Sequence, residues 1–74
     1  MGLRDVFAAN LLRLRQAKGL SQEALAYEAG IDRTYVSALE RGIYSASLDM
    51  VERLAKPLEI EPYAMLMGKA ARRR

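Results

Sequence analysis

Seventy-four residues make one domain, and the absence of cysteine and histidine excludes a disulfide framework, thiolate metal sites and imidazole acid–base chemistry. Of twelve basic residues, three are Arg72, Arg73 and Arg74; without them nine basic side chains face nine acidic ones. The net charge of +3 therefore belongs to the tail, and any electrostatic argument must rest on where the other charges sit.

A chain of this size buries only about 60–65% of its unfolded surface, so the core is small. No apolar run approaches the ~20 residues that cross a bilayer, and the start, Met-Gly-Leu-Arg-Asp, has no signal-peptide core. The expectation is a cytoplasmic protein with no membrane partner, no metal, no cofactor and no small-molecule ligand.

The apolar residues recur at helical spacing between Gly19, Gly30, Gly42, Pro57, Pro62 and Gly68. A first helix is predicted over 4–18, with Val6, Phe7, Leu11 and Leu14 as its stripe, Leu12 beside it, and Gly19 beyond its end. Ser21 caps a helix over 22–29 that stops at Gly30. Asp32 caps a third over 33–41, which Gly42 ends. Residues 43–46 are a loop. Ser47 caps a fourth helix over 48–58, with Leu48, Val51, Leu54, Ala55 and Leu58 inward. Pro57 removes a hydrogen bond to the Arg53 carbonyl and kinks or ends the last turn. Pro62 suits the first position of a fifth helix over 62–67, with Glu61 at its positive end. No segment alternates at period two. The prediction is an all-α, compact five-helix bundle over 1–71 with a basic tail at 72–74, the tail being either a solvated end or a phosphate contact.

The second and third helices form a helix-turn-helix. Ala26 is small where the two cross, Gly30 supplies a left-handed turn, and Leu25, Ile31, Val36 and Leu39 anchor the pair. Opposite Val36 and Leu39 the third helix carries Arg33, Thr34, Ser37, Ala38 and Arg41. Basic ends bracket small side chains, which lets the helix approach base edges in a DNA major groove. Arg33 can reach guanine O6 and N7 with a two-pronged bond; Thr34 can pack on a thymine methyl or bond a base or phosphate. Gln22 opens the preceding helix, where free N–H groups and the helix dipole favour a phosphate. Tyr35 divides evenly between packing toward the first helix and a phosphate or minor-groove contact.

At these residues the chain resembles the helix-turn-helix family of phage repressor, Cro and related single-domain bacterial regulators (XRE type), with the lambda repressor-like fold. The resemblance covers about 6–67 and rests on Gly19-Leu20-Ser21-Gln22-Glu23-Ala24-Leu25-Ala26, Ala29-Gly30-Ile31, Glu40-Arg41-Gly42, and Ser47-Leu48 with Leu54-Ala55. Arg33-Thr34-Tyr35 is similar to the opening of the recognition helix in restriction–modification controller proteins. The resemblance implies that Gln22 holds a phosphate and braces the recognition helix. It implies base contacts from Arg33, Thr34 and Ser37 or Ala38, and phosphate contacts from Arg41, Tyr44, Ser45 and Ser47. It also implies an ion pair between Arg15 and Glu40. The chain departs from the family pattern in Pro57 and in its neutral body.

Met65 and Ile60 are expected to close the core, leaving Leu58, Tyr63, Leu66 and Met67 as a homodimer surface rimmed by Glu59, Glu61 and Lys69. The reading is a sequence-specific regulator binding double-stranded DNA as a dimer on a roughly palindromic operator. The alternative is the same fold used as a protein-interaction module, antitoxin-like or partner-regulating, which the neutral body favours and the outward face of the third helix opposes. No carboxylate pair, nucleophile–base set or phosphate loop supports an enzyme.

Overall fold

The computed structural model describes residues 2–68. They form four α-helices, α1 (Leu3–Lys18), α2 (Gln22–Ala29), α3 (Arg33–Glu40) and α4 (Leu48–Leu58), followed by a 3₁₀ segment, Pro62–Leu66. No strand occurs among the described residues. The tail Arg72–Arg74 and the rim residue Lys69 lie outside them.

All four helices end the same way. A residue in the left-handed region follows each one: Gly19, Gly30, Gly42 and, after α4, Glu59 at φ 57°. The next N–H reaches back five residues in the Schellman pattern: Leu20 to the Arg15 carbonyl (3.1 Å), Ile31 to Ala26 (2.9 Å), Ile43 to Ala38 (3.0 Å) and Ile60 to Ala55 (3.2 Å). Leu20, Ile31 and Ile60 then turn inward against the core. Ile43 does not, and remains 49% exposed. Pro57 is tolerated because α4 ends one residue later. Arg41, expected as the last residue of α3, instead has φ −87° and ψ −1° and leads into Gly42.

Every element contributes to the core. Leu11 of α1, Leu25 of α2, Val36 and Leu39 of α3, Leu54 of α4 and Met65 of the 3₁₀ segment are all fully buried. Leu14 and Ile60 pack against this cluster from its edge.

Three expectations about the apolar residues change. The fifth element is a 3₁₀ segment rather than an α-helix over 62–67. Five residues are too few to recover the cost of helix nucleation, and the carbonyls of Met65 and Met67 both accept from Asn10 Nδ2, each at 2.9 Å. Leu48 is 79% exposed rather than inward, because it opens α4 at its capped end and no other described element covers that turn. Leu58, assigned to a dimer surface, is 4% exposed and belongs to the core, in phase with Leu54 and Ala55.

Asn10 is the one polar residue buried as a whole among the described residues. Besides its two donated bonds, its Oδ1 accepts from Arg13 Nη2 at 3.0 Å. It ties the 3₁₀ segment to α1 across 55 residues of sequence. Asn10→Ala leaves two carbonyls without their donor and should cost about 1–3 kcal/mol, read from the urea midpoint at unchanged slope.

Lys18 Nζ lies 2.7 Å from Glu59 Oε1 and joins the ends of α1 and α4. The Lys18 hydrogen bond, and then its charge, hold the Glu59 carboxyl below its ordinary value of 4.5. A lowered carboxylate contributes stability that is present above its ordinary value and lost as pH falls through the lowered one. The stability difference between wild type and Lys18→Met should therefore be largest above pH 4.5, vanish in stronger acid, and shrink in high salt because the pair is exposed. Urea titrations across pH at two salt concentrations check it.

Candidate nucleic-acid interface

The position of α3 is set at its inner side and its far end. Val36 and Leu39 are fully buried. At the end of the helix the Glu40 side chain is 5% exposed and the Arg15 side chain, from α1, 11%. Arg15 Nε donates to Glu40 Oε2 at 2.5 Å and Nη2 to Oε1 at 3.1 Å, a two-pronged pair. Arg15 Nη1 donates to the Leu20 carbonyl at 2.8 Å, and Gln22 Nε2 donates to Glu40 Oε1 at 2.9 Å. One carboxylate thus joins α1, the first residue of α2 and α3.

The outward side of α3 is different in kind. Arg33, Thr34 and Arg41 are exposed and Ser37 is half-buried. Among the described residues neither Arg33 nor Arg41 has an ion-pair partner. Two unpaired guanidiniums on one short helix surface are suited to anionic or carbonyl-rich ligands.

Asp32 occupies the capping position of α3, but its carboxylate does not cap. Oδ2 instead accepts from the Thr34 hydroxyl at 2.6 Å, and the Tyr35 N–H bonds the Asp32 backbone carbonyl at 3.0 Å. The hydroxyl proton of Thr34 is thereby committed, which leaves its oxygen an acceptor toward the outside.

Ala38, expected on the outer face, is only 7% exposed. It forms the floor of a shallow depression with Thr34, Tyr35, Arg41, Ile43 and Tyr44. Tyr35 packs against the core on one side and meets the Tyr44 ring edge-on on the other, centroids 6.2 Å apart. Tyr44, Ser45 and Ser47 follow on the exposed loop. Ser47 Oγ accepts from the Met50 N–H at 3.1 Å, as Ser21 Oγ does from Ala24 at 3.0 Å.

Two residues beside this face carry no local signal in the sequence. Arg4 Nη1 reaches the Gly42 carbonyl at 3.4 Å across 38 residues. Ile43 stays exposed although it follows its glycine as the half-buried Ile31 does. Among the described residues no group of three or more acidic side chains is placed to hold a metal ion.

Removing one partner of a buried ion pair strands the other's charge. Glu40→Ala should cost about 3–5 kcal/mol in urea unfolding. A loss near 0.5 kcal/mol, the range of exposed pairs, would contradict the anchoring role.

A helix-turn-helix family model matches residues 11–64. The chain is 45% identical over 65 residues to a hypothetical transcription factor of Neisseria meningitidis serogroup B; the match takes 88% of this chain and spans 61% of that relative's length. The crystal structure of the restriction–modification controller protein C.AhdI from Aeromonas hydrophila superposes with a TM-score of 0.81 at 47% identity, over 84% of this chain and 94% of that one. The controller protein C.Esp1396I, crystallised as a tetramer in complex with its natural 35-base-pair operator, gives 0.80 at 31% identity over 88% of this chain and 86% of that one. Matched over most of its length by sequence and by fold, the chain belongs to the helix-turn-helix family of XRE type, whose members include restriction–modification controller proteins.

Proposed function

We propose that this chain is a transcription regulator that reads double-stranded DNA in a sequence-specific way, as a homodimer on a roughly palindromic operator, with α3 in the major groove. The observation that carries the reading is the two-sidedness of α3. Its inner face is buried and its end held by the Arg15–Glu40–Gln22 network, while Arg33 and Arg41 are exposed and have no ion-pair partner among the described residues.

In this reading Arg33 bonds guanine O6 and N7. Thr34, with its proton given to Asp32, accepts from the exocyclic amine of adenine or cytosine. Ser37 and Ala38 keep the helix close to the base edges. Gln22 spends one amide hydrogen on Glu40 and keeps the second for a phosphate at the start of α2. Arg41, Tyr44, Ser45 and Ser47 face the backbone of the same groove, and Tyr35 lines its edge.

A dimer follows from size. One eight-residue helix reads few base pairs, whereas a two-fold pair places two such helices one DNA turn, about 34 Å, apart. The tetrameric operator complex of C.Esp1396I supports assembly on DNA as the mode of action. The neutral body favours a second reading, a protein-interaction module, and salt separates the two: a DNA reader loses affinity with a log–log slope near −0.9 per phosphate neutralised.

The test is electrophoretic shift or anisotropy on the DNA upstream of the gene and on random duplex. Arg33→Ala should cost about 1–3 kcal/mol on the upstream site and relax preference at one or two base pairs. Arg41→Ala should weaken all sequences alike and flatten the salt slope by about one unit. Equal losses from Arg33→Ala on both duplexes would exclude base reading by that residue.

A further inference from the structure

Asp32 stands where a capping side chain is expected and does something else. Ser21 and Ser47, at the same position of α2 and α4, each accept a backbone N–H of their own helix. The Asp32 side chain accepts none, although its backbone is extended there as theirs is. Its Oδ2 takes the Thr34 hydroxyl at 2.6 Å instead. Arg33 lies between the two in sequence, yet among the described residues no ion pair joins it to the carboxylate. An exposed carboxylate is thus spent on an exposed hydroxyl, a bond that adds little to stability because water can serve both groups.

We infer that Asp32 is a positioning residue for base recognition: by holding the Thr34 proton it makes that hydroxyl an obligatory acceptor, so that Thr34 selects the strand carrying an exocyclic amine, of adenine or cytosine. The inference rests on the DNA-reading function proposed above and names the residue that sets its polarity at one base pair.

Three observations carry it. Thr34 is the second residue of α3, so the helical carbonyl three or four residues earlier, the usual partner of a threonine hydroxyl, is absent. A free hydroxyl donates to guanine O6 or thymine O4 as readily as it accepts from an amine, and so tells them apart poorly. With the proton on Asp32 only the accepting direction is left. The same bond fixes the rotamer. Thr34 is branched at Cβ, so anchoring its oxygen also decides where its methyl points. The third observation is charge. The carboxylate has no ion-pair partner among the described residues and sits beside the outward face of α3. It opposes phosphates and carbonyl edges alike, a repulsive element that weakens every duplex and weakens least the one offering an amine.

Competition binding tests the role. A duplex is selected from a random-sequence pool by the full wild-type chain, and each of its base pairs is then inverted in turn, which puts a carbonyl where an amine stood. Inverting the pair under Thr34 should weaken wild type about three- to tenfold, the worth of one hydrogen bond. Thr34→Val, which keeps the shape and removes the oxygen, should abolish that preference and so identify the pair. Asp32→Ala should abolish the preference at the same pair and leave the pairs set by Arg33 unchanged. Adding Asp32→Ala to Thr34→Val should change that pair no further, because the two residues act as one. On random duplex Asp32→Ala should bind at least as tightly as wild type, since a negative charge is gone from the face. An Asp32→Ala protein that keeps the preference overturns the role and leaves the DNA reader standing. So does a Thr34→Val protein that loses no preference, or an Asp32→Ala loss spread equally over all duplexes, which marks Asp32 as scaffold alone. A pool from which wild type selects no sequence overturns the DNA-reading function and this inference with it. Should Asp32→Ala not fold, Asp32→Gly, a residue type accepted at the start of a helix, is read in the same way.

Discussion

Glu40 carries a carboxylate into a site almost closed to water, and the placement of α3 depends on how that carboxylate is satisfied. Three N–H groups from two other elements converge on its two oxygens. Arg15 in turn spends its remaining nitrogen on the Leu20 carbonyl, so the arrangement leaves no buried side-chain polar atom unpartnered among the described residues. Apolar packing alone would let an eight-residue helix rotate or slide by fractions of a turn. A charge with fixed donors does not permit that, because any rotation breaks bonds inside a low-dielectric site. The direction in which Arg33, Thr34 and Arg41 point is therefore determined at the opposite side of the helix.

Gln22 belongs to both sides of this arrangement. It opens α2 where backbone N–H groups are free, and it also braces Glu40. A ligand that pulls on the Gln22 amide thus pulls on the same carboxylate that sets α3. Tyr35 is shared in a similar way, between the core and the Tyr44 ring on the outer loop. On the proposed reading, binding face and scaffold overlap at these two residues, and substitutions there would mix affinity with stability.

The helix ends were legible because their chemistry is local. Ser21, Ser47, Gly19, Gly30 and Gly42 each act on backbone within a few residues. Glu59 was not legible as a left-handed residue, since a glutamate carries no such signal; Pro57 marks only the neighbourhood of the stop. The fifth element failed for a non-local reason. Pro62 does open it, but Asn10, 55 residues away, claims the carbonyls that a longer helix would have used. Leu48 and Leu58 show the limit of periodicity: both have the inward phase of α4, and only the surrounding elements decide that one is buried and the other open. Ala38 lies on the outer side as its phase places it, but it is nearly covered, forming the floor of a depression that Ile43 and Tyr44 also line. The outward set Arg33, Thr34 and Arg41 was legible from phase against Val36 and Leu39, whereas the partner of the Thr34 hydroxyl was not.

The even charge of the body has a kinetic consequence. Apart from the three terminal arginines, basic and acidic side chains are equal in number, and Asp32 sets a negative group beside the outward guanidiniums. A surface of this kind neutralises few phosphates, so its grip on unrelated sequence is brief. On the function proposed above, little of the protein would then be held on unrelated DNA, and occupancy of a specific site would follow the amount of protein present closely.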